Sequence, residues 1–131
     1  MHDEEGGTPL TIATANGHSA VVNLLVEKGA AITLANNNGW TALMYAATEG
    51  SLEDVSVLLK YEASIDKKLP GGNTALHIAS AQGHIEIVRL LLHNGAMVDS
   101  LDRKGRSSLI IAAASGYPDV VRLLLEWGWV H

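Results

Sequence analysis

Residues 72–83 read Gly-Asn-Thr-Ala-Leu-His-Ile-Ala-Ser-Ala-Gln-Gly, and this stretch decides the fold because its pattern returns along the whole chain. Five of its positions recur at intervals of about 33 residues without an insertion, which is the signature of a repeat architecture. The five columns are Gly6, Gly39, Gly72 and Gly105; Thr8, Thr41, Thr74 and Ser107; Leu10, Leu43, Leu76 and Leu109; Ala13, Ala46, Ala79 and Ala112; and Gly17, Gly50, Gly83 and Gly116. The chain therefore consists of four copies of one unit.

Each unit is expected to begin with a short helix. Thr74 and its counterparts stand just before an apolar run, where a hydroxyl oxygen can accept a hydrogen bond from the free amides of a helix start. Pro9 fits the first helical position, where no amide hydrogen is missed. Gly83 and its counterparts should end the helix, because glycine adopts the left-handed conformation at little cost.

A second helix is predicted after that glycine, since Val88, Leu90 and Leu91 form an apolar face that recurs in the other units. Gly29, Gly95 and Gly128 are expected to end this helix. The stretch that follows is rich in Asn, Asp and Gly, which suit a tight turn that we call a finger. Each unit thus contains two helices and one finger.

Three motifs carry a family resemblance: Gly-Asn-Thr-Ala-Leu-His-Ile-Ala (72–79), Gly-His-Ile-Glu-Ile-Val (83–88) and Leu-Leu-His-Asn-Gly-Ala (91–96). They closely resemble the pattern of the ankyrin-repeat family. The resemblance implies an all-α solenoid of four helix-turn-helix repeats with β-hairpin or turn fingers. We expect a single domain over 1–131, with repeats at 3–35, 36–68, 69–101 and 102–131, the last one truncated.

Three departures from the pattern carry their own predictions. Glu62 replaces the glycine that ends the second helix, so a non-glycine residue should hold a positive φ at a cost of about 1 kcal/mol, and Glu62→Gly should raise the melting temperature. Leu69 and Pro70 replace the usual Asp-led turn, so the third finger is expected to be displaced. Asp54 takes a position that is apolar in the other repeats, which suggests a more solvated second helix.

Composition narrows the classes of function. A chain of 131 residues fits one domain, and its net charge of −5 argues against general affinity for nucleic-acid backbones or anionic membranes. The absence of cysteine excludes disulfides, thiolate zinc sites and thiol nucleophiles. No apolar run approaches the roughly 20 residues that cross a bilayer and no leader opens the chain, so a soluble protein is expected. The resemblance implies an intracellular location, in the cytoplasm or nucleus.

The candidate chemical groups are better explained by the repeat than by catalysis or metal binding. His18 and His84 occupy equivalent positions two repeats apart, which is too distant for a shared ion. For His77 the resemblance implies a structural hydrogen bond in the turn network. The Gly71-Gly72 pair lacks the lysine of a phosphate loop. We therefore expect no enzyme activity, no metal site and no cofactor.

Positions that break the period are free to determine specificity, because the periodic ones are needed for stacking. In the ankyrin-repeat family such positions line a concave surface of fingers and inner helices. The resemblance therefore implies a module for protein–protein interaction, a scaffold or adaptor, that binds a partner protein or peptide there. The predicted binding residues are Asn37, Asn38, Trp40, Glu49, Asn73, Gln82, Arg103, Lys104 and Arg106.

The finger sequences change charge along the stack, from Asp3-Glu4-Glu5 to Lys67-Lys68 and then to Arg103, Lys104 and Arg106. This polarity could orient a monomeric array on a partner whose acidic segment faces repeat four, or it could be an accidental feature of a solvated surface. Trp40 is either an interface anchor or a residue that packs across the finger bases. An anionic small molecule or a nucleic acid bound by Trp40 and the basic fingers is the alternative function. A scaffold with no partner of its own also stays open.

Overall fold

The computed structural model describes residues 6–61 and 63–130. Over these ranges the chain forms eight helices in four pairs: α1 (Pro9–Ala15), α2 (Ser19–Glu27), α3 (Ala42–Glu49), α4 (Leu52–Lys60), α5 (Ala75–Gln82), α6 (Ile85–His93), α7 (Ser108–Ser115) and α8 (Pro118–Val130). The first helices α1, α3, α5 and α7 pack in one row, and the second helices α2, α4, α6 and α8 pack in another. The expected all-α solenoid is confirmed.

The local signals for the first helices are confirmed. Thr8, Thr41, Thr74 and Ser107 are the N-caps, and each accepts a hydrogen bond from the amide three residues further on, as Ser107 Oγ does from Ile110 N at 3.2 Å. Pro9 occupies the first turn of α1. Gly50, Gly83 and Gly116 end α3, α5 and α7 in the left-handed conformation.

A continuous core runs along the stack between the two rows of helices. Its small members Ala46, Ala79 and Ala112 are fully buried where neighbouring first helices approach one another. Larger side chains from both rows fill the rest, among them Leu43, Leu58, Leu76, Val88, Leu91 and Leu124. Because the same positions pack in every repeat, stacking alone accounts for the recurrence of these columns.

The prediction that Gly128 ends the last helix is wrong, because α8 continues through it to Val130. Gly29 and Gly95 do adopt positive φ, at 89° and 92°. There the turn is closed by the alanine that follows, since Ala30 N donates to Leu25 O and Ala96 N to Leu91 O. Gly128 is followed by Trp129 in place of the alanine, and the helix continues through both residues. Glu62 lies outside the described residues.

The prediction of a solvated second helix around Asp54 is also wrong. Asp54 is 0% exposed, and Val55 beside it is fully buried. The position faces the preceding repeat: its counterpart in repeat one, Val21, is exposed, whereas Ile87 and Val120 are buried. Stacking therefore buries this column whatever residue occupies it. Neither carboxylate oxygen of Asp54 has a hydrogen-bond partner in the described part of the chain.

The fingers are tight turns at residues 36–40, 69–73 and 102–106, which we call fingers two, three and four. In each, the first amide donates to the carbonyl of the fifth residue at 2.9 Å, as Leu69 N does to Asn73 O. The predicted displacement of finger three is wrong, because its main chain keeps the same bond and Pro70 lies beside Gly39 as Asn37 lies beside Gly6 and Arg103 beside Gly72. The bridge between Ala35 and Thr41 is isolated, and no strand forms in the described ranges. None of the described helices is both long and apolar enough to span a bilayer.

Candidate functional site

Fingers two and four are each stabilised by the side chain of their first residue, Asn36 or Asp102. Asn36 Oδ1 accepts hydrogen bonds from the amides of Asn38 and Trp40, both at 3.0 Å. Asp102 Oδ1 accepts in the same way from the amides of Lys104 at 2.9 Å and Arg106 at 2.8 Å. A side-chain acceptor at the first finger position therefore fixes the turn that carries the candidate binding residues.

Asp102 also pairs with the side chain of Arg106, whose Nε donates to Asp102 Oδ2 at 2.8 Å. The Arg106 amide that donates to this carboxylate is the main cause that lowers the pKa of Asp102 below its ordinary value, and the Arg106 side chain and the Lys104 amide act in the same direction. The buried carboxylate is therefore ionised at neutral pH. It offsets part of the positive charge that the sequence places on finger four.

Finger three has no acceptor at its first position, and its neighbours hold it instead. The amide of Arg103 donates to Gly71 O at 2.9 Å, and Arg103 Nη1 donates to Pro70 O at 3.2 Å. Gly72 has a φ of 86°, and a Cβ there would lie 2.8 Å from the Arg103 nitrogen. The Gly71-Gly72 pair thus serves a turn and a close contact between two fingers.

His77 joins repeat three to finger four. Its Nδ1 accepts the amide hydrogen of Thr74 at 3.2 Å, so the neutral ring carries its proton on Nε2, which donates to Arg106 O at 3.0 Å. Burial lowers the pKa of His77 below its ordinary value, and the bond to the Arg106 carbonyl offsets only part of this effect. The structural hydrogen bond that the family resemblance implied for His77 is confirmed.

A groove of about 340 Å³ lies between the fingers and the first helices, and we call it the finger groove. Four of the sequence-predicted residues line it: Trp40, Asn73, Gln82 and Arg106. The other lining residues are Thr48, His77, Ile78, Ala81, Ile111 and Ser115. The groove therefore combines apolar side chains, two side-chain amides and one guanidinium from three successive repeats.

Ile78 and Ile111 were missed as candidate site residues. They belong to one more periodic column, whose other members are Ile12 and Tyr45. All four residues are apolar or aromatic, and three of them are only partly buried. The signal that could have identified them is a column that is apolar or aromatic in every repeat and yet lies next to the exposed side of the first helix.

The remaining predicted residues are exposed and do not line the groove: Asn37, Asn38, Glu49, Arg103 and Lys104. The Asn37 side chain packs beside Gly6, where an added Cβ would clash with its Oδ1. The structure therefore divides the predicted set into a groove and an exposed finger margin.

Trp40 both packs and borders the groove. Its ring lies against Tyr45, with centroids 5.0 Å apart and planes tilted by 31°. The Tyr45 hydroxyl in turn accepts a hydrogen bond from Asn36 Nδ2 at 2.7 Å, which ties the pair to finger two. An aromatic side chain held in this way is a preorganised contact for a ligand, because little rotational freedom is left to lose on binding.

His84 also has structural surroundings. The His84 ring lies over Gly50, and its Nε2 is 3.3 Å from Thr48 O. Among the described residues, no three His, Cys, Asp or Glu side chains come together in a group that could hold a metal ion.

Comparison with known proteins agrees with this architecture. Residues 1–69 and 63–129 match the family model described as ankyrin repeats (3 copies). The chain is also similar to the human transient receptor potential cation channel subfamily A member 1, with 53% identity over 38 residues. That match covers 29% of this chain and 3% of the channel protein, so the chain spans only a small part of that relative.

Proposed function

Because the chain belongs to the ankyrin-repeat family, whose repeats are in general modules for protein–protein interaction, we propose that it holds a partner protein or peptide on its fingers and first helices. One observation carries the proposal: the finger groove gathers Trp40, Gln82 and Arg106 from three different repeats. Its volume of about 340 Å³ suits one or two side chains of a bound segment.

The groove offers two kinds of contact. Trp40, Ile78 and Ile111 present apolar surface, and a tryptophan at the centre of an interface is a common source of binding energy. Asn73 and Gln82 add amide groups that can donate to or accept from a peptide main chain. We therefore propose that the partner contributes a segment with one apolar or aromatic side chain in the groove. The side-chain amides of Asn73 and Gln82 would bond to the main chain beside that side chain.

The charge of the fingers supports a direction for that segment. Arg103 and Lys104 are exposed at the margin of the groove. Arg106 uses its Nε to pair with Asp102, so its two terminal nitrogens can contact a partner. An acidic stretch of the partner would face repeat four in this arrangement. Such charges raise the association rate and fix register more than they raise affinity.

Ankyrin repeats are generally non-enzymatic, and we propose that the chain acts inside the cell as a scaffold or adaptor. An anionic small molecule or a nucleic acid is less well supported, because Asp102 offsets the charge of Arg106 and the net charge is −5.

Affinity capture followed by measured binding of each captured protein tests the proposal. Trp40→Ala should weaken a true partner at least tenfold, and the double variant Arg103→Glu/Lys104→Glu should slow its association. The matched control is Arg89→Glu/Arg122→Glu, which reverses two exposed cations on the second helices. Partners that bind all variants equally would contradict a site on the fingers and first helices.

A further inference from the structure

Both ends of the stack expose apolar positions that the interior repeats bury. In repeat one, Val21 is 45% and Leu24 is 54% exposed, although Ile87 at the position of Val21 is buried and Val57 and Leu90 at the position of Leu24 are partly buried. In repeat four, Ile110 is 49% and Leu125 is 46% exposed. Met44 and His77 at the position of Ile110 are buried, as are Val26 and Leu92 at the position of Leu125, where Leu59 is partly buried. Each end therefore presents a surface of the kind that is used for stacking inside the array.

The surface on repeat four contains a groove of about 650 Å³, which we call the end groove. Its lining includes Ala113, Gly116, Tyr117, Val121 and Leu125. Gly116 stands at its side with nothing within 4 Å of the place where a Cβ would be. This open space contrasts with the same position in the two preceding repeats.

At two of the three equivalent glycines, a ring from the next repeat covers the position; at Gly17, where repeat two carries Ser51 in place of a ring, nothing lies within 4 Å. A Cβ on Gly50 would lie 2.7 Å from the His84 ring, and one on Gly83 would lie 2.5 Å from the Tyr117 ring. The array itself thus shows what fits this kind of groove: the second helix of another repeat, with a ring at the residue that precedes it.

We infer that the end groove binds repeat one of a second copy of this chain, so that the stack continues head to tail. Repeat one carries His18 at the ring position, equivalent to His84. His18 is exposed and its side chain makes no cap hydrogen bond, so the ring can be placed over Gly116. Val21 and Leu24 then cover the apolar surface around Ala113, Val121 and Leu125.

Charge favours the same arrangement. Finger four exposes Arg103 and Lys104, whereas the chain that leads into repeat one reads Asp3-Glu4-Glu5. The acidic residues lie outside the described part of the chain, but opposite charges in the two segments favour contacts between unlike ends over contacts between like ends. The association should therefore weaken as the salt concentration rises.

A contact between two different surfaces does not close on itself, so it produces linear oligomers whose mean size grows with concentration. This behaviour differs from the monomer that we expected from the sequence. The end groove and the finger groove share no residue, and although Arg103 and Lys104 enter both charge arguments, the two proposals are tested with different variants.

Sedimentation equilibrium of the full chain tests the inference, because the mass of one copy is 13.9 kDa. The wild type should exceed this mass increasingly as its concentration approaches about 1 mM, the range of a weak contact. Val21→Lys blocks the surface of repeat one, and Ala113→Arg blocks that of repeat four. Each variant alone should remain a monomer, and an equimolar mixture of the two should form a one-to-one dimer through the surfaces left intact.

Leu52→Lys is the matched control, since Leu52 is an exposed apolar residue in an interior repeat and lies at neither end. It should associate like the wild type, and His18→Ala should associate several-fold more weakly. Thermal unfolding by circular dichroism shows whether each variant is folded. A monomeric wild type, a mixture that stays monomeric, or an equal loss in Leu52→Lys would overturn the inference; the end surfaces would then suit a further repeat of a longer polypeptide instead.

Discussion

Fingers three and four form the same turn with different support. Finger four begins with Asp102, whose carboxylate accepts from two amides of its own turn and from the Arg106 side chain. Finger three begins with Leu69, which offers no side-chain acceptor. Yet Leu69 N bonds to Asn73 O and Gly72 N to Leu69 O, as the equivalent groups do in finger four.

This difference shows that the interactions that determine the shape of the turn are not the same as those that add to its stability. The shape follows from the main-chain bonds and from a glycine with positive φ, which both fingers have. The side-chain acceptor adds stability to a turn that already exists. Finger three compensates by contact with its neighbour, through Gly71, Gly72 and Arg103. A residue typical of the family can therefore be absent where stacking supplies the constraint.

The largest expected effect comes from a substitution that crowds the contact between fingers three and four. Gly72→Ala should destabilise the protein by about 2–4 kcal/mol, because alanine is strained at positive φ and its Cβ would meet the main chain of Asp102 and Arg103. Gly105→Ala is the control, since its position in finger four has a similar φ and open space. It should cost only about 1 kcal/mol. Urea unfolding measures both, and equal losses would show that the contact between fingers contributes nothing.

The same distinction applies to Asp54, which occupies an apolar column of the second helices. Asp54→Val should stabilise the protein by about 1–3 kcal/mol, because a buried carboxylate without a hydrogen bond is replaced by a side chain that suits the position. Val21→Asp is the reciprocal control: it places an aspartate at the exposed member of the column and should change stability by less than about 0.5 kcal/mol. A loss of stability in Asp54→Val would mean that an unseen partner satisfies the carboxylate.

Asp102 should make finger four sensitive to acid in a way that finger three is not. Because the folded pKa of Asp102 lies below its ordinary value near 3.8, its stabilising effect is complete above that value and is lost as the pH falls through the folded pKa. Asp102→Asn should therefore lower stability at pH 7 and flatten the acid limb of the stability profile. An unchanged acid limb would rule out this role.

His77 supplies a separate part of that profile. Its folded pKa lies below 6.5, so only the unfolded chain takes up a proton just below pH 6.5, and stability begins to fall there. This part should persist in Asp102→Asn and should disappear in His77→Gln. Chemical unfolding between pH 7 and pH 5 distinguishes the two contributions.

The smallest expected effect comes from giving finger three the acceptor it lacks. Leu69→Asp should stabilise the protein by about 0.5 kcal/mol, because the carboxylate can accept from the amides of residues 71 and 73 while some apolar contact is lost. Leu69→Ala measures that loss alone. If Leu69→Asp were no more stable than Leu69→Ala, the acceptor would be dispensable in this finger.

The candidate site could be predicted in part. Trp40, Asn73, Gln82 and Arg106 were found because they break the period and so are not required for stacking. Ile78 and Ile111 were missed because they keep the period, and a periodic apolar residue is normally assigned to the core. The pairing of Arg106 with Asp102 was not predicted either, because a count of charges along the sequence does not show which of them meet.

By itself, the sequence determined the number of repeats, the beginnings of the first helices at residues such as Thr74 and their ends at Gly83, because these signals depend on hydrogen bonds between residues three or four apart. Only the tertiary structure decided that Asp54 is buried, that finger three keeps its place and that the finger groove joins three repeats. These features depend on which surface each repeat presents to the next, and that contact is made between residues about one repeat apart.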